Sequence, residues 1–274
     1  MSTTTIAFIG GGNMACSMIG GILARGWAAD RIRVSDPVPE CRERMAALGV
    51  NATADNREAA AIADIVVLAV KPQQLRSACR DIVATVTERN ALVVSIAAGV
   101  ETDSLQVWLG EAAAIVRCMP NTPALLQCGA TALFATARVT AAQRHAAQEL
   151  MQSIGLAVWV DREELLHGVT ALSGSGPAYF FLIMEAMQRA GENLGLDAEL
   201  SRALTAQTAL GAARMALEPG ADVAELRRRV TSPGGTTERA VRVLEERGLR
   251  RLFDDALQAA ATRSRELAEE IGRN

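Results

Sequence analysis

Apolar residues in the first part of the chain come in short unbroken runs. Ile6 to Ile9, Ile32 to Ser35, Ile65 to Val70, Leu92 to Ile96 and Ala114 to Cys118 are dense in Val and Ile, the pattern of parallel strands covered on both faces. Helical spacing separates these runs as far as about residue 160, and Leu133 to Ala135 and Leu156 to Val160 add strands at the edge. Strand and helix in alternation predict an α/β doubly wound sheet. From Glu163 onward the strand pattern stops, and Ala, Leu, Glu and Arg recur at helical spacing. The chain therefore divides into a sheet domain, 1–161, and an all-helical domain, 162–274.

The first long helix of that second domain follows Ser173-Gly174-Ser175-Gly176-Pro177, with proline suited to a first turn. It continues Tyr179-Phe180-Phe181-Leu182-Ile183-Met184-Glu185-Ala186-Met187, apolar almost all round. Such a helix needs cover on every side, which a small helical domain supplies poorly. An intimate homodimer is the expected solution, through which this second domain serves dimerisation.

The first strand leads into Gly10-Gly11-Gly12-Asn13-Met14-Ala15 and then the helical run Met18, Ile19, Ile22, Leu23. Strand, G-x-G-x-x-A and helix together form a Rossmann-like fingerprint. The first glycine makes the tight turn, the second lets a pyrophosphate approach the backbone, and Ala15 lets helix and strand pack closely. The second strand ends at Ser35 and Asp36, where a ribose-binding acid belongs. Dinucleotide binding outweighs a merely glycine-rich turn.

Three further loops leave the same edge of the sheet: Val70-Lys71-Pro72-Gln73, Ala97-Ala98-Gly99-Val100 and Met119-Pro120-Asn121-Thr122-Pro123-Ala124. Ligands of open parallel sheets bind at that edge. Lys71 stands apart, because of 28 basic residues it is the only lysine. A compact ammonium there suits an anionic substrate or a cofactor phosphate.

Near the other end, Val230-Thr231-Ser232-Pro233-Gly234-Gly235-Thr236-Thr237-Glu238 runs straight into the helical pattern of Ala240, Val241, Val243 and Leu244. Two glycines let successive N–H groups point one way, and the new helix adds its positive end. With hydroxyls from Ser232, Thr236 and Thr237, a small carboxylate fits there. An ordinary capped helix start is the plainer reading of this stretch taken alone.

Composition narrows the classes. A net charge of -3 disfavours a nucleic-acid surface, and 22% charged residues with 50% apolar ones disfavour disorder. The five cysteines, Cys16, Cys41, Cys79, Cys118 and Cys128, lack C-x-x-C spacing and read as reduced, mostly buried thiols. No signal-peptide pattern precedes the first strand, and the apolar run at Tyr179 is interrupted by Glu185 and Arg189. The expectation is a cytoplasmic protein without a membrane segment. His145 and His167 show no metal-ligand spacing and read as surface or interface residues, so no metal site is expected.

The run Val230 to Val241, together with Leu172 to Tyr179, Ala69 to Gln73 and Met119 to Ala124, closely resembles pyrroline-5-carboxylate reductase, over essentially the whole chain. The C-terminal glycine loop is specific to that family, whereas the N-terminal fingerprint is shared by many dehydrogenases. The resemblance implies hydride transfer from NADPH or NADH to the imine carbon of 1-pyrroline-5-carboxylate, giving L-proline in the last step of proline biosynthesis. It also implies dimers with interleaved helical domains, assembled into a decamer in many members. On the substrate side it implies a carboxylate held by the N–H groups of Gly235, Thr236 and Thr237, with Ser232 and Gly234 in the same loop. The Thr237 hydroxyl would face the imine nitrogen as the catalytic group, and Glu163 matches an acid near the substrate. On the cofactor side it implies Ile9, Gly10, Gly11, Gly12, Asn13 and Met14 at the pyrophosphate, with Ser35, Asp36 and Asn56 at the adenosine end. Ala69, Val70, Lys71, Pro72, Ile96, Ala97 and Ala98 fall at the nicotinamide-side cleft, with Asn121 beside it.

The chain departs from the family at two places. Asp36 stands where members that prefer NADPH often carry serine or another uncharged or basic residue, so NADPH and NADH both stay open. Gly220-Ala221-Asp222-Val223 replaces a Glu-His-Pro-type run, and Arg229 replaces an amide or other polar residue. Two rival readings remain. A beta-hydroxyacid-type dehydrogenase would want a catalytic lysine in the helical domain, and none follows Lys71. A non-catalytic nicotinamide-sensing binding protein would not need the Ser232 to Thr237 loop, and binding of proline-like acids discriminates it.

Overall fold

In the computed structural model, which describes residues 4–272, the chain runs β1 (Ile6–Ile9), α1 (Asn13–Ala24), β2 (Ile32–Ser35), α2 (Pro39–Ala47), β3 (Asn51–Thr53) and α3 (Asn56–Ala60). Next come β4 (Ile65–Leu68), α4 (Pro72–Arg89), β5 (Leu92–Ser95), α5 (Thr102–Leu109), β6 (Ala114–Met119) and β7 (Gly129–Ala135). The remainder is α6 (Ala141–Gln152), β8 (Gly155–Trp159), α7 (Leu165–Val169), α8 (Gly176–Asn193), α9 (Ala198–Ala216), α10 (Val223–Arg229), α11 (Thr236–Glu246) and α12 (Leu249–Gly272).

The strands form one sheet in the order β3-β2-β1-β4-β5-β6-β7-β8. All neighbours pair in parallel except β6 and β7, which are antiparallel with Cys118 opposite Leu133. The Thr122–Leu126 turn reverses the chain between them, so β7 and β8 run against the other six strands. Alternation along β1 shows why the runs are unbroken. Ile6 and Phe8 enter one core with Met18, Ile19 and Ile22 of α1, while Ala7 and Ile9 enter the other with Leu75, Cys79 and Ile82 of α4. A strand covered on both faces has no polar side to show. The short strand β3, Asn51-Ala52-Thr53, has no apolar run, and the antiparallel step is not written in any one strand.

The chain separates into two compact units later than the 161/162 boundary. One continues through Ser175 and takes up the chain again from Ala260, and the other is Gly176–Ala259. The shift has a physical cause: after β8 the chain stays with the sheet through α7, whose Leu166 and His167 are buried, and a π turn over Thr170–Gly174. The last turns of α12 bury Ala261, Ser264 and Ala268, spaced for one helical face, and Ile271 packs on the second core.

The second unit is helical throughout. Asp197 accepts the Leu200 N–H to cap α9, and Asp222 accepts the Ala224 N–H to cap α10. Only Gly176 is buried along α8, although that helix is rich in Phe, Leu, Ile and Met. No helix among the described residues is long and apolar enough to cross a membrane.

Candidate active site

The sheet order reverses between β1 and β4, and the loops there converge. Gly10 adopts φ +103, and a Cβ on it would lie 2.7 Å from the Ala69 carbonyl oxygen. The β1 and β4 loops can touch only with glycine at that place. Gly12 caps α1 and faces open space, and Asn13 and Met14 begin that helix with no acid in its first turn. Such a loop can receive a phosphate: first-turn N–H groups that a helix leaves unpaired, a positive helix end and no side chain at Gly12. Lys71, exposed, caps α4 ahead of Pro72 and follows the Ala69-Val70 stretch that packs on Gly10.

Asp36 lies at the end of β2, only 8% exposed. Its Oδ2 accepts the Gly11 N–H at 2.7 Å and its Oδ1 the Val38 N–H at 2.9 Å. The carboxylate therefore ties the glycine loop to the end of β2. Arg42 donates to the carbonyls of Asp36 and Pro37 at 2.7 and 2.9 Å. Ser35 donates to Asn56 Oδ1 at 2.6 Å, and Asn56 Nδ2 donates to Asp81 at 2.9 Å. Asn56 with Thr53, Ala54, Asp55, Arg57 and Asp81 lines a cleft of about 410 Å³ beside β3. Ile96, Ala97 and Ala98 leave β5 at the same edge, the Ile96 N–H bonding to the Leu68 carbonyl at 3.2 Å and Ala98 facing solvent. The residues expected on the cofactor side therefore leave the sheet at one edge, and Asn121 differs from them in its bonds. Asn121 spends its amide inside the protein, donating to the Ser173 carbonyl at 3.0 Å and accepting the Ala130 N–H at 2.9 Å.

Glu163 is likewise committed. Its carboxylate accepts from the Arg117 guanidinium at 2.6 Å, from the Thr102 N–H at 2.8 Å and from the Thr102 hydroxyl. The Arg117 and Glu163 side chains are 5% and 15% exposed. Removing one partner of such a buried pair leaves an uncompensated charge and costs roughly 3–5 kcal/mol. Sequence reasoning passed over Arg117, though a lone charge inside the apolar strand Ala114–Met119 was its signal. It read His167 as a surface or interface residue without finding its partners. The ring is buried, with Nδ1 3.0 Å from Ser264 Oγ and Nε2 3.3 Å from Glu101, because α7 and α12 close over it. His145, by contrast, is exposed beside Glu149.

In the helical unit, Gly234 takes φ +72 and Gly235 caps α11, so the chain enters Thr236 and Thr237 with free first-turn geometry. Gly234 N–H donates to Glu238 at 2.8 Å and Gly235 N–H to the Ser232 carbonyl at 3.0 Å. Gly235 N–H is thus used by the turn itself, whereas Thr236 and Thr237 present the amides at the helix tip. Ser232 and Thr236 are exposed and Thr237 is half-buried. The cysteines are all free, with Cys79 and Cys118 buried, Cys16 and Cys41 half-buried and Cys128 exposed, so fewer are buried than composition implied.

A doubly wound sheet with a phosphate cradle at its reversal point, an acid after β2 and a separate helical unit defines the class of nicotinamide-dependent oxidoreductases. Residues 5–99 match the family described as NADP oxidoreductase, coenzyme F420-dependent, and residues 163–267 match pyrroline-5-carboxylate reductase dimerisation. A pyrroline-5-carboxylate reductase of Pseudomonas aeruginosa is 53% identical over 99% of this chain and 100% of its own length. The solved structure of such a reductase from Coxiella burnetii is 49% identical with a TM-score of 0.95, covering 97% of this chain and 99% of that one. That from Plasmodium falciparum, with NADP bound, is 28% identical with a TM-score of 0.86, covering 98% and 99%. The chain belongs to the pyrroline-5-carboxylate reductase family.

Proposed function

We propose that this chain reduces 1-pyrroline-5-carboxylate to L-proline with NADPH or NADH, the cofactor on the sheet unit and the substrate carboxylate on the tip of α11. The observation that carries the reading is the pairing of two anion cradles in one chain, Gly10–Gly12 before α1 and Gly234–Thr237 before α11. Bound reduced nicotinamide supplies the hydride. The chain supplies orientation: the Thr236 and Thr237 N–H groups hold the carboxylate, and the Thr237 hydroxyl bonds the ring nitrogen so that the imine carbon is the acceptor. Ala69 to Pro72 and Ile96 to Ala98 flank the nicotinamide end, and Ser35, Asp36 and Asn56 the adenosine end. The three protein donors on Glu163 support a role in holding the fold near the site rather than holding substrate. The exposed Phe180, Phe181 and Leu182 and the match of residues 163–267 to a dimerisation region support a homodimer, on which a decamer can be built. Function in the cytoplasm accords with this chemistry.

Loss of reduced cofactor on adding pyrroline-5-carboxylate, with NADH and NADPH compared, tests the activity. Thr237→Val keeps shape and removes one donor, and a positioned donor of this kind is worth on the order of 3 kcal/mol of barrier, about a hundredfold in kcat. Unchanged kcat in the valine variant removes Thr237 from the mechanism.

A further inference from the structure

The loop that joins β5 to α5, Ile96 to Glu101, is tied at both ends to one buried charge centre. At its start, Ser95 is the register partner of Arg117 on β6. At its end, Thr102, the first residue of α5, gives both its N–H and its hydroxyl to Glu163, and Glu163 accepts from Arg117 at 2.6 Å. The Thr102 N–H is one of the first-turn donors that a helix cannot satisfy internally, and a carboxylate on it also meets the positive end of α5. A second tie lies one helical turn on from Glu163, where His167 approaches Glu101 at 3.3 Å and Ser264 at 3.0 Å. Between these ends Gly99 adopts φ +74, and a Cβ on it would meet Ile271 and Leu267 of α12 at 3.4 and 3.6 Å. The loop has little freedom left, and Ala98 is its exposed point.

We propose that Glu163 is a positioning residue for the nicotinamide half of the cofactor: by bridging Arg117 and Thr102 it sets where Ile96, Ala97 and Ala98 stand. This rests on the reading of that loop as the nicotinamide side. The carboxylate acts without touching cofactor or substrate, because three protein donors already occupy it and its effect passes through the backbone of α5.

The test compares binding of NADH with binding of ADP-ribose, which carries the adenosine and pyrophosphate but no nicotinamide, alongside kcat and KM. Glu163→Gln keeps the shape and one acceptor while removing the charge. It is expected to weaken NADH and to lower kcat/KM by tenfold to roughly a hundredfold, the cost of a misplacement of about 1 Å, with ADP-ribose binding unchanged. Thr102→Val, which leaves the Arg117 pair and the backbone N–H bond intact, is expected to shift NADH binding in the same direction by less, and it serves where Glu163→Gln does not fold. Equal weakening of both ligands overturns the proposal, since that is general destabilisation, and so does unchanged binding of both with unchanged kcat/KM. Ala98→Leu separates the two readings. If it weakens NADH while the Glu163 and Thr102 variants do not, the positioning role alone falls; if it too leaves NADH binding unchanged, the loop is not the nicotinamide side.

Discussion

In the sheet unit the largest apolar side chains, among them Phe8, Met18, Leu75 and Ile82, are wholly buried, whereas in the helical unit Phe180, Phe181 and Leu182 are 64%, 64% and 67% exposed. The helical unit is poorer in Val and Ile than the sheet unit, yet it still carries large apolar side chains that its own chain leaves uncovered. A sheet can be covered on two faces by helices of its own chain, and each strand then hides both of its sides. The helical unit has fewer layers, and the helix with the most apolar surface, α8, buries only Gly176. Exposed apolar surface on that scale marks an association face. The sheet unit is thus filled by its own packing, and the helical unit is expected to complete its core by the proposed assembly.

The widest test of this contrast sets Phe8→Ala against Leu182→Ala. Emptying the Phe8 site leaves a cavity in a filled core and is expected to destabilise by about 3–5 kcal/mol at every protein concentration, read by denaturant titration. Leu182→Ala is expected to change stability only through association, so its effect grows on dilution and appears in sedimentation as a weaker dimer. A concentration-independent loss at Leu182, or a stable active monomer of the unaltered chain, breaks the contrast.

Asp36→Ser sharpens it at the cofactor end, where the sheet unit uses side chains to brace its own loop. Two charges about 4 Å apart repel by roughly 1–4 kcal/mol between water and protein-surface dielectrics, so an aspartate facing the ribose is expected to disfavour a 2′-phosphate. The variant is expected to raise kcat/KM for NADPH relative to NADH. Because Gly11 and Val38 each lose an acceptor, KM for both cofactors is also expected to rise. A fixed ratio means that Asp36 does not face the ribose.

The smallest effect is a reactivity difference within the sheet unit. Burial pushes the Cys79 thiol up to about 12 and raises the Cys118 thiol as well, whereas Cys128 is exposed. A raised value keeps the thiol protonated and un-nucleophilic through pH 9. Alkylation at pH 8 followed by mass spectrometry is expected to modify Cys128 first and to leave Cys79 and Cys118 untouched until unfolding. Early labelling of Cys118 contradicts the closed core.

Most of the sheet was legible because its strands carry their own pattern: Ile6–Ile9 and Ile32–Ser35 begin and end where the apolar runs do. The glycine loops were legible for a related reason, since a backbone that must bend or be approached closely admits few residues. Neither the β6–β7 reversal nor the boundary at Ser175 could be read, because each depends on which segments meet rather than on any one segment. The Glu163 site lay between the two. Its acid was noticed by resemblance, but its partners Thr102 and Arg117 stand 61 and 46 residues away, and only the fold brings them together.

Lys71 has a practical corollary. With one lysine side chain in 274 residues, exposed at the cap of α4, an amine-selective dye or resin has a single side-chain attachment point besides the terminal amine. That point lies next to the Ala69-Val70 stretch against Gly10, so on the proposed reading a fluorophore coupled there is expected to respond to cofactor occupancy, and immobilisation through it, with the terminal amine blocked, presents the molecule by that edge.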